Sequence, residues 1–211
     1  MKTPILSEQD KTHLANVIAK WELKTSGEIR LMIVSRSAVT SHVPLLLWAM
    51  LLVTTFLFHE AFRATLAPYE HPWQWPIVLV VEFVLAIWVG RSESVQRRLT
   101  AQHDLTHQVW TRAEVEFHRE GLTKTVDHTG VLLFLSLMER KAIVLADRGI
   151  ASKVAPGTWD NVVATIVNGA RTGQWVPNLE KALDQCGEYL AAHFPPKPGQ
   201  KDELPNTVIV K

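Results

Sequence analysis

The sequence predicts an α/β domain divided by an inserted membrane hairpin, on three observations. The run EIRLMIV at 28–34 reads as a buried strand with no strand-like neighbour beside it. Two long apolar runs follow it. Two further strand-like runs, Val131 to Leu137 and Ala142 to Ala146, come only after those. A solitary strand leaves its backbone N–H and C=O groups unsatisfied. The strand at Glu28 to Ser35 is therefore expected to pair with the strands beyond Gly130, across everything in between.

Ser7 to Lys24 reads as an amphipathic helix, because Leu14, Val17, Ile18 and Trp21 recur at helical spacing. Ser7 with Asp10 forms a capping-box pattern, and Gly27 is a stop signal. From Ser37 to Gly90 the only formal charges are Glu60, Arg63, Glu70 and Glu82, while four of the eight tryptophans fall there. The apolar runs are Val43 to Phe58 and Trp73 to Gly90. A membrane span needs about 20 apolar residues, which the first run reaches if it continues to Phe62. The alternative is a pair of buried helices in a soluble protein, but runs this apolar seldom occur outside a bilayer. Tyr69, Trp73 and Trp75 in the connection suit an interfacial belt. Lys24, Arg30 and Arg36 precede the first span, Arg91, Arg97 and Arg98 follow the second, and the connection holds only Arg63. By the positive-inside rule both flanks face the cytoplasm. Glu82 falls mid-span, at a cost of about 2.5–3.5 kcal/mol. Protonation, a contact with Thr54 or Thr55 of the other span, or a partner chain would each accommodate it, and it reads either as an ion or proton site or, preferably, as a tolerated acid in a shallow span.

Beyond the hairpin, Val95, Leu99, Thr106, Trp110, Ala113 and Phe117 mark one stripe of a long helix closed by Gly121. Met138 to Lys141 makes the turn between the two later strands. Thr158 is expected to cap a helix whose apolar side holds Trp159, Val162, Val163, Ile166 and Val167. Pro177 opens another, with Leu179, Ala182, Leu183, Cys186 and Leu190 inward. The proline-rich end of the chain favours an extended path, and Val208 to Val210 suits a short edge strand.

Net charge is +1, from 22 basic and 21 acidic residues, which gives no electrostatic reason to expect nucleic acid. The single cysteine rules out an intrachain disulfide. No apolar segment of a secretory signal occurs in the first thirty positions. No P-loop, G-x-S-x-G, H-E-x-x-H or strand-linked G-x-G-x-x-G is present. His103 and His107 share a helical face, with His118 or Asp127 as a conceivable third ligand. A pair alone is not a metal site, so a solvated helix face is the default. Asp127-His128 and Asp147-Arg148 bracket the strand pair at one sheet end. An acid, a histidine and an arginine gathered there suit phosphate, but the same residues serve turns and local ion pairs, and the turn reading is preferred. Cys186, on an apolar stripe, reads as core.

The stretch TGVLLFLSLMERKAIVLADRGIASKVAPGTWDNVVATIVNGARTGQWVPNLEKALDQCGEYLAAHF, residues 129–194, resembles the TPM domain family. The whole chain resembles its bacterial membrane-inserted subgroup through SGEI, the hydrophobic insert, ADRGI and ELPN. The resemblance implies a three-layer α/β/α sandwich on a small mixed sheet, interrupted by a two-helix transmembrane hairpin. The expected segments are 1–36 and 91–194 for the two parts of the domain, 43–90 for the hairpin and 195–211 for an extended tail. Some members are described as acid phosphatases; others assemble or repair photosynthetic membrane complexes or modulate a receptor. The family's Asp-Asp-Arg turn is matched by Met138, Glu139 and Arg140, so one acid is lost. Where members carry acids after the glycine matching Gly173, this chain has Gln174, Trp175 and Val176.

The expected function is a membrane-anchored, non-catalytic TPM module contacting a membrane protein or complex. The runner-up is a phosphatase-like hydrolase acting on phosphomonoesters through Asp127, His128, Glu139, Asp147 and Arg148. No cofactor or metal is expected. The expected partners are the lipid bilayer and another membrane protein or complex, with no nucleic acid. The expected location is the bacterial inner membrane, multi-pass, with the soluble domain and both termini cytoplasmic.

Overall fold

The computed structural model describes residues 6–58, 74–199 and 203–211. The chain is a mixed α/β fold with a small four-stranded mixed sheet and eight α-helices among the described residues. Residue contacts divide it into two compact units, Met1–Ser37 with Thr106–Lys211, and Ala38–Leu105.

In the first unit, helix α1 (Glu8–Glu22) opens with a closed capping box: Asp10 N–H donates to Ser7 Oγ at 3.1 Å and Ser7 N–H to Asp10 Oδ2 at 2.8 Å. The helix stops at Glu22, before Gly27. Strand β1 (Glu28–Val34) then pairs in parallel with β2 (Gly130–Ser136), Glu28 opposite Gly130 and Val34 opposite Ser136. Residues 35–129 separate the two partners in the chain. Strand β2 turns back antiparallel into β3 (Lys141–Ala146), with Arg140 left-handed in the turn. The last strand, β4 (Ile209–Val210), lies parallel along the other side of β1, giving the order β3-β2-β1-β4.

Both faces of this sheet are covered. Ile29, Leu31, Ile33, Val131, Leu133 and Leu135 point into a core shared with α1 and two later helices. Their neighbours Met32, Val34, Leu132 and Phe134 point the other way, onto Val109, Ala113 and Phe117. A strand buried on both faces is apolar throughout rather than alternating, as in GVLLFLS. The helices of the first core are α7 (Asp160–Thr172) and α8 (Trp175–His193), after the one-turn helix α6 (Arg148–Ala151).

Several expected details are corrected. The long helix after the hairpin is two helices, α4 (Glu93–Leu99) and α5 (Gln102–Arg119). Thr100 breaks it by adopting an extended backbone, with ψ 132°. Its buried stripe is Leu105, Val109, Ala113 and Phe117, whereas Trp110 and Leu99 are exposed. A stripe at strict four-residue spacing slants round the helix, which the expected mixture of positions missed. Thr158 does not cap α7: its hydroxyl donates back to Ala155 C=O at 2.8 Å, and the helix begins at Asp160 after Trp159. Pro177 is the third residue of α8, which starts at Trp175.

In the second unit, α2 (Val43–Leu57) and α3 (Gln74–Gly90) pack together. Trp48 meets Phe83 edge to face at 5.2 Å between ring centres. Thr55 Oγ1 donates to Glu82 Oε1. A Cβ on Gly90 would stand 2.9 Å from Pro44, so glycine permits the close approach there. At the base, Gln96 joins the unit's ends: it accepts from Thr40 Oγ1 and donates to Gly90 C=O, both at 2.8 Å. Among the described residues no single helix is long and apolar enough to cross a membrane. Helix α3 passes only together with α4, and those two are bent by 93°. At 1.5 Å per residue, α2 and α3 measure roughly 22 and 26 Å, short of a hydrocarbon core of about 30 Å. Tyr69, Trp73 and Arg63 lie outside the described residues.

Candidate functional site

Four of the five candidates, Asp127, His128, Asp147 and Arg148, were expected at the edge where β2 begins and β3 ends, with Glu139 in the turn between these strands. The chain enters β2 through a tight loop. His128 N–H donates to Thr125 C=O, Thr129 N–H to Thr125 Oγ1, and His128 itself is left-handed with φ 54°. Gly149 is required beside this loop, since a Cβ there would lie 2.4 Å from Asp127 O. These backbone constraints bring Asp147 and Arg148 against His128.

The three side chains then satisfy one another. Asp147 accepts the Arg148 N–H at 2.7 Å, which caps α6. Its other oxygen lies 3.0 Å from His128 Nδ1. Arg148 Nη2 reaches His128 Nε2. With Nδ1–H donating to the carboxylate, Nε2 is the acceptor for the guanidinium, as in a neutral imidazole. Both ring nitrogens are occupied. Asp127 forms a separate pair with Lys197 at 2.6 Å.

Glu139 lies at the opposite end of β2, in the turn to β3. It is 3% exposed, and it accepts from Ser37 N–H at 3.1 Å and from Ser136 Oγ. Seven strand residues at about 3.3 Å each place roughly 20 Å between this turn and His128. The five candidates therefore form no single site. The adjacent groove, of about 410 Å³, is lined by Ser26, Thr129, Gly149, Lys153, His193 and Phe194 among others. Of the five candidates Asp127 alone lines it.

No protein-family model and no curated protein matches the chain. It is similar to a solved structure. That is the NMR structure of the BA42 protein from the psychrophilic bacterium Bizionia argentinensis, with 19% identity over 100% of this chain and 99% of that one, and a TM-score of 0.62. At that identity the likeness shows the fold alone.

Other expected chemistry is dispersed. His103 is 91% exposed in its side chain and lies 3.7 Å from its neighbour Asp104. Among the described residues no group of three or more His, Cys, Asp or Glu side chains is placed to hold a metal ion. Gly173 ends α7 with φ 74°, and Gln174, Trp175 and Val176 lead straight into α8. Burial pushes the Cys186 thiol up to about 12, well outside the range of a reactive thiolate.

The sequence reading missed a different polar cluster, along the free side of β1. Glu28 and Arg30 are 2% and 3% exposed. Arg30 was counted above as a flanking charge, yet it donates to Pro205 C=O and, at 3.1 Å, to Thr207 Oγ1. Glu28 Oε1 accepts from Glu203 N–H at 3.2 Å. On α5, Glu116 is fully buried and meets Lys211 at 2.6 Å, Arg112 at 2.7 Å and Arg119 at 3.5 Å. Burial pushes this carboxyl up, but the Lys211 hydrogen bond and the three cations outweigh it and hold it below the ordinary value. The available signal was a pair of charges alternating with apolar residues inside a strand that is otherwise buried.

Proposed function

We propose that the chain is a membrane-anchored TPM-type module without catalytic activity, whose α/β domain contacts a membrane protein or complex. The second unit is the anchor in this reading, held in the bacterial inner membrane with both flanks cytoplasmic. The observation that carries it is the apolar surface of α2 and α3. Leu45, Met50, Val53, Phe56, Leu57, Val80, Val81, Val84 and Trp88 are among the exposed side chains, each between 58% and 81% exposed. Together such side chains present on the order of 1,500 Å² of apolar surface, several times what a soluble monomer usually shows. At about 25 cal/mol per Å² that surface favours lipid over water by tens of kcal/mol. Glu82 supports the same arrangement, since it turns inward to Thr55 rather than outward. The helices are short for a full bilayer, and local thinning accommodates such a mismatch at modest cost.

The case against hydrolysis is geometric. Phosphoryl chemistry needs positive groups placed where charge develops. Arg148 is engaged with His128, Lys197 with Asp127, and Glu139 is remote. Assay with a generic phosphomonoester, with and without divalent metal, should give background rates, unchanged in Asp147→Ala. A metal-dependent rate abolished by Asp147→Ala or Arg148→Ala would replace the module with a hydrolase. Alkaline extraction of membranes should leave the chain in the pellet, and recovery in the supernatant would refute the anchor. Affinity purification from detergent-solubilised membranes should retain a specific membrane protein, and reporter fusions at Met1 and Lys211 should both report the cytoplasm.

A further inference from the structure

The open side of β1 is covered in an unusual way. Strand β4 pairs with it over only two residues, Ile209 opposite Met32 and Val210 opposite Ile33. Lys211 extends the ladder by donating to Ile33 C=O at 2.9 Å and accepting from Ser35 N–H at 2.8 Å. Below that, segment 203–207 makes no ladder with β1. It is fastened there by the buried Glu28 and Arg30, whose contacts reach the main chain at Glu203 and Pro205. Leu204 and Ile209 pack into one core and Val208 into the other. Lys211 Nζ closes the row on Glu116 and, at 3.3 Å, on Glu120.

These contacts describe a receptor for an extended chain. Main-chain atoms are recognised by a strand edge and two buried charges, aliphatic side chains pack into the cores on the two faces of the sheet, and a buried acid takes a lysine. Recognition by strand addition divides its labour in this way, with affinity from the main chain and specificity from alternate side chains. A buried charge is costly unless hydrogen-bonded, so Glu28 and Arg30 require some extended segment beside them. Between those anchors the segment is open to solvent on its outer side, where Glu203, Pro205, Thr207, Val210 and Lys211 are exposed, and its ladder with β1 is confined to residues 209–211. Edge segments with few ladder bonds open locally at low cost compared with central strands.

We infer that the β1 edge is a peptide-binding groove for a partner's extended aliphatic segment bearing a lysine, and that residues 203–211 occupy it in cis until such a segment displaces them. This rests on the interaction-module reading and supplies its contact surface. The test uses the full chain in detergent micelles and a fluorescent peptide of residues 203–211, ELPNTVIVK. In the double variant Ile209→Asp, Lys211→Glu the cis segment is weakened. The peptide should then bind at least about tenfold tighter than to the unaltered chain, the scale of one lost charged hydrogen bond by itself. Adding Glu116→Gln to that variant should reduce the preference for the lysine-bearing peptide over one ending in methionine. A double variant that keeps its far-UV circular dichroism yet binds no better than the unaltered chain would overturn the groove.

Hydrogen exchange on the unaltered chain tests the same claim without substitution. The Ser35 and Lys211 amides should exchange about 100-fold faster than those of the β1–β2 ladder. Equal protection would mean that the segment never vacates β1, and would overturn the proposal. If the groove fails while affinity purification still retains a partner, contact is made elsewhere and the module reading stands. If the groove binds but nothing co-purifies, the module reading fails alone.

Discussion

Gly187→Ala sets two known effects against each other. Gly187 lies in the interior of α8, where alanine is intrinsically favoured over glycine by about 0.8–1 kcal/mol. Propensity alone therefore forecasts a more stable protein. The packing forecasts the reverse. A Cβ at 187 would lie 2.3 Å from Trp21 Cγ and Cδ2 and 2.8 Å from Cδ1. The ring is not free to give way, since Trp21 Nε1 donates to Asp184 Oδ1 at 2.8 Å and the residue is 9% exposed. Overpacking of this kind costs about 1–3 kcal/mol, and a displaced indole adds about 0.5–1.5 kcal/mol for the hydrogen bond. Net of propensity, destabilisation by roughly 1–3 kcal/mol is expected. For a domain of this size that lowers Tm by about 3–10 °C. Thermal unfolding of the full chain in detergent, followed by far-UV circular dichroism, measures it. In a Trp21→Leu background the ring is absent, and Gly187→Ala should become neutral or mildly stabilising. An unchanged or raised Tm in the unaltered background, or an equal loss in both, would refute the claim that α1 and α8 meet through this indole.

Acid should act on the segment beside β1. Glu116 is held below its ordinary value of 4.5 in the folded chain, so its contribution is present above that pH and is lost as pH falls through the folded value. The urea midpoint of Glu116→Gln should lie below that of the unaltered chain at pH 7, with the gap closing below pH 4.5; a constant gap would mean that Glu116 is not the titrating anchor. Cys186, raised to about 12 and fully buried, should resist alkylation at pH 8 in the native chain and react once urea unfolds it; rapid native labelling would contradict the packing of α8 against the sheet.

The strand pattern was legible because strands packed on both faces are rich in apolar residues, as EIRLMIV, GVLLFLS and KAIVLA are, although the first carries two charges and the third is only partly buried. The break at Thr100 was not, because Val95, Leu99 and Trp110 fit helical spacing equally well whether or not the backbone turns between them. The five candidate residues were chosen for type and for proximity in the chain. Four of them do lie at one sheet end, but sequence carries no information on whether an arginine and a histidine face a ligand or each other. Glu139 was placed with them through the family turn, and the length of β2 separates it.

By itself the sequence determined which segments are apolar enough to need burial, that β1 lacks a local partner, and that the runs Val43 to Phe58 and Trp73 to Gly90 are poor candidates for exposure to water. Those are consequences of composition and period, which local residues carry in full. Only the tertiary structure decided that, of the two later strands, β2 rather than β3 lies against β1, that the end of the chain takes the other side of β1, and that Glu28, Arg30 and Glu116 are buried against that segment. A charge pays the cost of burial through a partner brought from far along the chain, and which partner arrives is fixed by strand order rather than by any pattern in the residues around the charge.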